Sequence, residues 1–320
     1  MIRAVIYAKS IIEKQVRNSE YSVIDSFFKK YQKGFYWTNE NIGSYLNIFD
    51  LNNRKKALSV MASGDHVFNL IYRGISDVDT FDINRLTEYF VLGLKRTMIL
   101  KYDYYEFLYM INYIIEPNIS LEELTNILIY LIKDMDLKYK LFWEEILNFN
   151  YHIQKFYGTN LNLMLMLYVS PFAKTSHINN NDYLLDPYCY EEFRNKLKNA
   201  NISFKGVDAI DLSKKFKGKK YDLILLSNVL DYANARWGNN WDKERLEEYL
   251  KSLEGISNED AIIFVKYIIN YLSSSQIKDQ LFYDSCIKRE DIDDSIVVIP
   301  KTTSSTIKDG VILRRVKIDK

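Results

Sequence analysis

The sequence predicts an α/β protein: a Rossmann-like, mostly parallel sheet that ends in an antiparallel edge hairpin and carries a large helical insertion. Three observations predict it. An apolar run from Ala57 to Met61 ends in the turn Ala62-Ser63-Gly64-Asp65, and eighteen residues beyond Gly64 a second strand-like run, Val78 to Asp82, ends in an acid. Later runs at 202–209, 221–228 and 261–269 supply further strands, the second of them apolar enough to be covered on both faces. The tail then pairs 295–299 with 310–316, two alternating segments that suit a hairpin on a sheet edge.

Taken in chain order, residues 1–50 read as an N-terminal helical cap, with Ile24, Phe27, Phe28 and Tyr31 at helical spacing. The stretch Phe35 to Glu40 follows, and Trp37 and Glu40 are placed as lining of a ligand pocket, with a packing aromatic and a helix-start acid as their structural alternatives. Residues 51–84 and 200–320 form the sheet domain. Its first turn is informative for what it lacks. A dinucleotide lays its pyrophosphate on a helix N-terminus across several glycines, because only glycine lets the backbone approach so closely. Here Gly64 stands alone beside Asp65, whose charge repels a diphosphate and suits a ligand with an ammonium or sulfonium group. S-adenosyl-L-methionine has a ribose, no phosphate and a cationic end. Ser63, Gly64 and Asp65 are therefore placed at its binding turn, with Asp82 on the ribose hydroxyls and Asn84 beside it.

Residues 85–199 are too long for an ordinary crossover and read as a helical insertion on the acceptor side. Asp103 with Glu106 and Ser120 with Glu123 have capping-box spacing, and Asp186 precedes Pro187 as a helix start does. Leu121, Leu124, Leu128, Leu131 and Ile132 recur at helical spacing. Tyr and Phe are dense from Tyr102 to Tyr157, either as core or as the wall of an acceptor pocket. Beyond the insertion, Asp208 and Ala209 end a strand where an adenine would lie, although Asp208 equally suits a helix cap. Ser227 and Asn228 end the next strand. Asp231 is the candidate base there and Tyr232 its orienting group, with helix capping as the other role open to Asp231. A helix over 242–253 leads to the strand at 261–269.

The stretch Leu58 to Lys95, with Ser63-Gly64-Asp65, then Asp82-Ile83-Asn84, then Leu94-Lys95, resembles the betaine-lipid-synthase type family of S-adenosylmethionine-dependent 3-amino-3-carboxypropyl transferases, including its uncharacterised bacterial members. Trp37 to Glu40 and Ser227 to Tyr232 resemble motifs at similar places in that family, and together these segments cover about a third of the chain. The resemblance implies a class I methyltransferase-type sheet and transfer of the aminocarboxypropyl group to a lipid or small-molecule acceptor. Methyl transfer on the same fold is the alternative, and a non-catalytic nucleoside-binding protein is a third reading. A nicotinamide oxidoreductase is disfavoured by the missing glycines.

Composition narrows the partners. With 43 basic against 42 acidic residues, the chain has no electrostatic footprint for nucleic acid. Cys189 and Cys286 lie far apart and His66, His152 and His177 are scattered, so no zinc or other metal site is expected. The first residues turn charged at Arg3 and Lys9, unlike a secretory leader, which leads to a cytoplasmic expectation. The apolar runs 127–132 and 161–169 are too short to span a bilayer, leaving at most peripheral membrane contact. The lysines at 214, 215, 217, 219 and 220 read as a solvated face or, failing that, a patch for acidic headgroups.

Overall fold

The structure is a computed structural model that describes residues 37–115, 121–157, 179–230, 243–268, 296–301 and 304–316, with residues 5, 6 and 9. A seven-stranded sheet has the order β3-β2-β1-β4-β5-β7-β6. The strands are β1 (Lys56–Val60), β2 (Asp77–Asp82), β3 (Asn201–Gly206), β4 (Tyr221–Leu225), β5 (Ser257–Ile268), β6 (Ile296–Lys301) and β7 (Ser304–Arg315). β1 runs parallel to β2 and β4, with Ala57 opposite Val78 and Leu58 opposite Ile224. β3 and β5 continue the parallel set on either side, and β7 reverses direction against both β5 and β6. The expected α/β class, the parallel sheet and the antiparallel edge pair are all present. Pro300 falls in β6, at the sheet edge, where a missing backbone donor is tolerated.

Strand periodicity divides the core into two layers. Leu223, Leu225, Ile262 and Phe264 point to one face, while Ile224, Leu226, Ile263 and Val265 point to the other. This alternation of buried side chains is what a strand covered on both sides requires. Helices α1 (Ile42–Leu46) and α2 (Asp65–Tyr72) lie on the first face. The second is covered by α8 (Lys243–Glu254), through Leu246, Leu250 and Leu253, and by Leu212 and Phe216.

The described residues between β2 and β3 are mainly helical, as the patterning predicts. A π-helical stretch, Tyr89–Lys95, continues into α3 (Arg96–Lys101), followed by α4 (Tyr104–Ile115), α5 (Leu121–Ile132), α6 (Leu137–Tyr157) and α7 (Pro187–Lys198). The capping box of α4 forms in both directions: Glu106 N donates to Asp103 Oδ1 at 2.9 Å, and Asp103 N donates to Glu106 Oε2 at 3.1 Å. Asp186 caps α7 by accepting from Cys189 N at 2.8 Å, with Pro187 at the first helical position. Ser120 lies outside the described residues, as do the N-terminal positions Ile24 to Tyr31. Leu124, Leu128 and Leu131 are buried as their spacing predicts, and they join the same cluster as Ala57 and Val78 of the sheet. The helices between β2 and β3 thus share a core with the sheet instead of enclosing their own. Of the dense aromatics, Phe107, Phe142 and Trp143 are core residues, while Tyr105 and Tyr151 are exposed.

One expected feature changes in the fold. Lys219 and Lys220 are not free members of a solvated face: Lys219 pairs with Asp79 at 2.7 Å, and Lys220 donates to the carbonyls of Gly255 and Ser257. No helix among the described residues is long and apolar enough to cross a membrane.

Candidate functional site

The order β3-β2-β1-β4-β5 reverses between β1 and β4, so the carboxyl ends of these two strands flank the place where open α/β sheets take ligands. Both ends hold a non-glycine residue in left-handed backbone, Ala62 at φ 42° after β1 and Ser227 at φ 56° after β4. Such conformations are strained by about 1 kcal/mol or more and concentrate at functional sites. The turn after β1 closes through Gly64 N, which donates to Met61 O at 2.6 Å. Gly64 has φ 83°, and a Cβ there would stand 2.4 Å from Val91 Cγ1, so the turn requires glycine on two counts.

Asp82 ends β2 beside this turn. Its Oδ2 accepts from Ala62 N at 3.1 Å and its Oδ1 from Asn84 N at 2.8 Å, which fastens the end of β2 to the turn after β1. Burial nevertheless pushes its carboxyl up to about 6, against the opposing pull of backbone N–H groups and the Thr87 hydroxyl. The Ile83 N–H and the Thr87 hydroxyl also donate to it, and the residue is partly exposed. Asn84 turns the chain, its Oδ1 accepting from Leu86 N at 3.0 Å.

Asp65 is fully enclosed. Its Oδ1 accepts from Lys95 Nζ at 2.6 Å and from Tyr183 OH at 2.9 Å, and its Oδ2 from Thr38 N at 2.6 Å and Ser63 Oγ at 2.9 Å. Sequence alone assigned this carboxylate to a cationic ligand. In the fold its charge is met by Lys95 and its acceptor positions are occupied, so it organises the turn from within. Burial pushes the Lys95 ammonium below its ordinary range while Asp65 pulls it back up. Lys95 also donates to Ser63 O at 3.0 Å and lies 4.2 Å from the centre of the Trp37 ring. Trp37 is buried, packs edge-on against Phe107, and leaves its Nε1 with no hydrogen-bond partner.

Glu40 lies across the other side of the turn. Its Oε1 accepts a short hydrogen bond from Ser227 Oγ at the end of β4. Its Oε2 meets His66 Nε2 at 3.0 Å and accepts from Tyr45 OH at 3.3 Å. Burial, with Glu40 alongside, holds the Tyr45 hydroxyl well above the usual phenol range, so it remains a donor. Glu40 therefore ties together the segment before α1, the first turn of α2 and the end of β4.

The remaining expected site residues fall as follows. Asp208 caps a single turn of 3-10 helix, accepting weakly from Ile210 N at 3.4 Å, and Ala209 is buried with its carbonyl accepting from Tyr249 OH at 3.1 Å. Asn228 Oδ1 accepts from Tyr267 N at 3.3 Å, linking the ends of β4 and β5, and Tyr267 OH in turn accepts from Asn41 N. Asp231 and Tyr232 lie outside the described residues. No group of three or more His, Cys, Asp or Glu side chains among the described residues is arranged to hold a metal.

The fold joins Lys95, His66, Tyr45, Thr38 and Tyr183 to these residues. Lys95 carried a signal, since it closes the Leu94-Lys95 motif, and His66 follows the turn directly. Thr38 lies within the Trp37–Glu40 stretch, whereas Tyr45 and Tyr183 carried no signal; the partner of Tyr183, Asp65, is 118 positions away in the chain. Neither a scan against protein-family models nor a search of curated proteins returned a match.

Proposed function

We propose that this chain is an S-adenosylmethionine-dependent transferase of the class I methyltransferase-like type, related to the betaine-lipid-synthase type aminocarboxypropyl transferases. The observation that carries the reading is Asp82: a partly exposed carboxylate at the end of β2, fastened to the backbone of a turn that has one glycine, where the sugar of an adenosyl ligand would lie. The reversed strand between β5 and β6 supports the methyltransferase-like sheet, which commonly ends in such an edge pair. The contact between Asp65 and Lys95 supports the family relation, since it joins the two ends of the Leu58–Lys95 motif.

The donor supplies an electrophilic carbon beside a sulfonium leaving group. An acceptor oxygen or nitrogen forms a bond to that carbon, the carbon–sulfur bond breaks with its electron pair going to sulfur, and the acceptor gives up a proton. The protein's part is in-line positioning and exclusion of water. Asp82 holds the sugar, Asp208 and Ala209 border the base, and the strap Trp37 to Asn41 covers the ends of β1 and β4. Attack on the aminocarboxypropyl chain leaves methylthioadenosine, whereas attack on the methyl group leaves S-adenosylhomocysteine.

Titration calorimetry tests the binding half. S-adenosylmethionine is expected to bind, NAD is not, and Asp82→Ala is expected to abolish the heat; binding of NAD, or binding unaffected by Asp82→Ala, rejects the reading. Turnover in cell extract, with the released nucleoside identified by mass spectrometry, separates aminocarboxypropyl from methyl transfer and either from a non-catalytic binder.

A further inference from the structure

An acidic, aromatic face lies where α4 meets the first turn of α7. Tyr105 and Tyr188 are 71% and 79% exposed, and Tyr109 and Leu185 are exposed as well. Tyr104 joins the two helices: its ring lies 5.2 Å edge-on from Tyr105 and 5.8 Å from Tyr190, and its hydroxyl donates to Leu184 O at 3.1 Å. Tyr105, Tyr109 and Tyr113 follow one another at four-residue spacing, hence on one side of α4, and Tyr109 stacks on Tyr113 at 5.9 Å.

The charges around these rings are acidic. Asp186 lies within electrostatic reach of Tyr104, and Asp103, Glu106 and Glu191 lie within reach of Tyr190; all four acids are exposed. Arg194, the base among them, is committed to Glu191 at 2.6 Å and to the carbonyls of Ile99 and Leu100. Exposed tyrosines set among acids suit a cationic partner, which gains Coulomb attraction and contact with ring faces together.

The chain carries a complementary surface. Lys214, Lys215 and Lys217 are exposed at the turn that enters β4, and Lys205 joins them by donating to Lys215 O at 2.6 Å. Among the described residues, Asp211 at 3.8 Å from Lys214 is the one acid that pairs with any of these four. The turn packs on the second face of the sheet through Phe216, whereas Tyr104 and Tyr113 pack on the first. The two surfaces therefore lie on opposite sides of the sheet and cannot meet within one copy. With a net charge of +1, copies of the chain do not repel one another strongly.

We infer that the acidic tyrosine face receives the lysine turn of a second copy, head to tail. Such a contact is heterologous, so it either closes into a ring or extends into a chain. It is independent of what the site after β1 binds.

Sedimentation velocity on the full chain tests the contact. The wild type is expected to sediment as oligomers at about 50 mM salt and to shift toward monomer at about 500 mM, where exposed charges are screened. Tyr105→Ser with Tyr188→Ser, and separately Lys214→Glu with Lys215→Glu, are each expected to weaken association about 10-fold or more. Mixed in equal amounts, the two variants should form a one-to-one dimer, since each keeps the half that the other has lost. Carbodiimide cross-linking of the wild type, read by mass spectrometry, should join Glu106 or Glu191 of one copy to Lys214, Lys215 or Lys217 of another, and it decides alone should a variant not fold. A wild type that stays monomeric at low salt, oligomers that neither variant weakens, a mixture that forms no dimer, or cross-links between other surfaces overturn the inference. So does a monomeric wild type whose lysine turn binds phosphatidylglycerol vesicles, which assigns that turn to acidic lipid.

Discussion

Asp82 shows how one residue couples stability to ligand binding. Its carboxyl titrates near 6 in the fold against an ordinary value of 3.8, because burial outweighs the donors around it. Between these values the folded state holds the proton that the unfolded chain has released. The associated stability is full below about pH 4 and is lost as pH rises through about 6. At 1.36 kcal/mol per unit, the loss is on the order of 3 kcal/mol. Sugar hydroxyls donate to the ionised form, so affinity for an adenosyl ligand runs the other way, increasing over the same interval. Urea denaturation and calorimetry at about pH 5 and about pH 7.5 should show the two opposite trends, and Asp82→Asn should flatten both. A pH-independent affinity in the wild type would count against Asp82 as the sugar ligand.

At the scale of elements, the turn between β1 and α2 is the most constrained segment. Gly64 and Gly218 share the same backbone angle, φ 83°, but an added Cβ meets Val91 at Gly64 and nothing within 4 Å at Gly218. Alanine at Gly218 is expected to cost about 1–2 kcal/mol for the left-handed backbone alone. Alanine at Gly64 carries the same backbone cost plus a clash with a packed side chain, for a total of roughly 3 kcal/mol or more. Parallel urea titrations of the two variants separate the terms; equal losses would show that Val91 moves aside freely. This turn was legible in the sequence because its requirements are local: an apolar strand, then a residue with no Cβ, then a helix. The capping box at Asp103 and the cap at Asp186 were legible for the same reason, since each closes within three residues.

Among the described residues the molecule is organised around one sheet, whose first face is covered partly by the helices between β2 and β3. Phe107, Leu128, Trp143 and Ile146 pack into the same cluster as Val78, Leu223 and Phe264. Cut out of the chain, residues 85–199 would expose that apolar face to water and lose most of the burial that stabilises short helices. The isolated segment is therefore expected to show no cooperative thermal transition by circular dichroism, whereas the full chain shows one; a sharp transition in the segment would mean that it has a core of its own. The sequence by itself determined the strands and the faces they bury, the glycine turn, the acid at the end of β2 and the reversed edge pair, because period-two alternation and turn chemistry are properties of neighbouring residues. Only the tertiary structure decided which carboxylate is neutralised. Asp65 meets Lys95 and Tyr183, and Glu40 meets Ser227, across 30, 118 and 187 positions of chain. Charge at a site depends on such distant partners and on burial, and neither is written in the spacing of the residues that carry the motif.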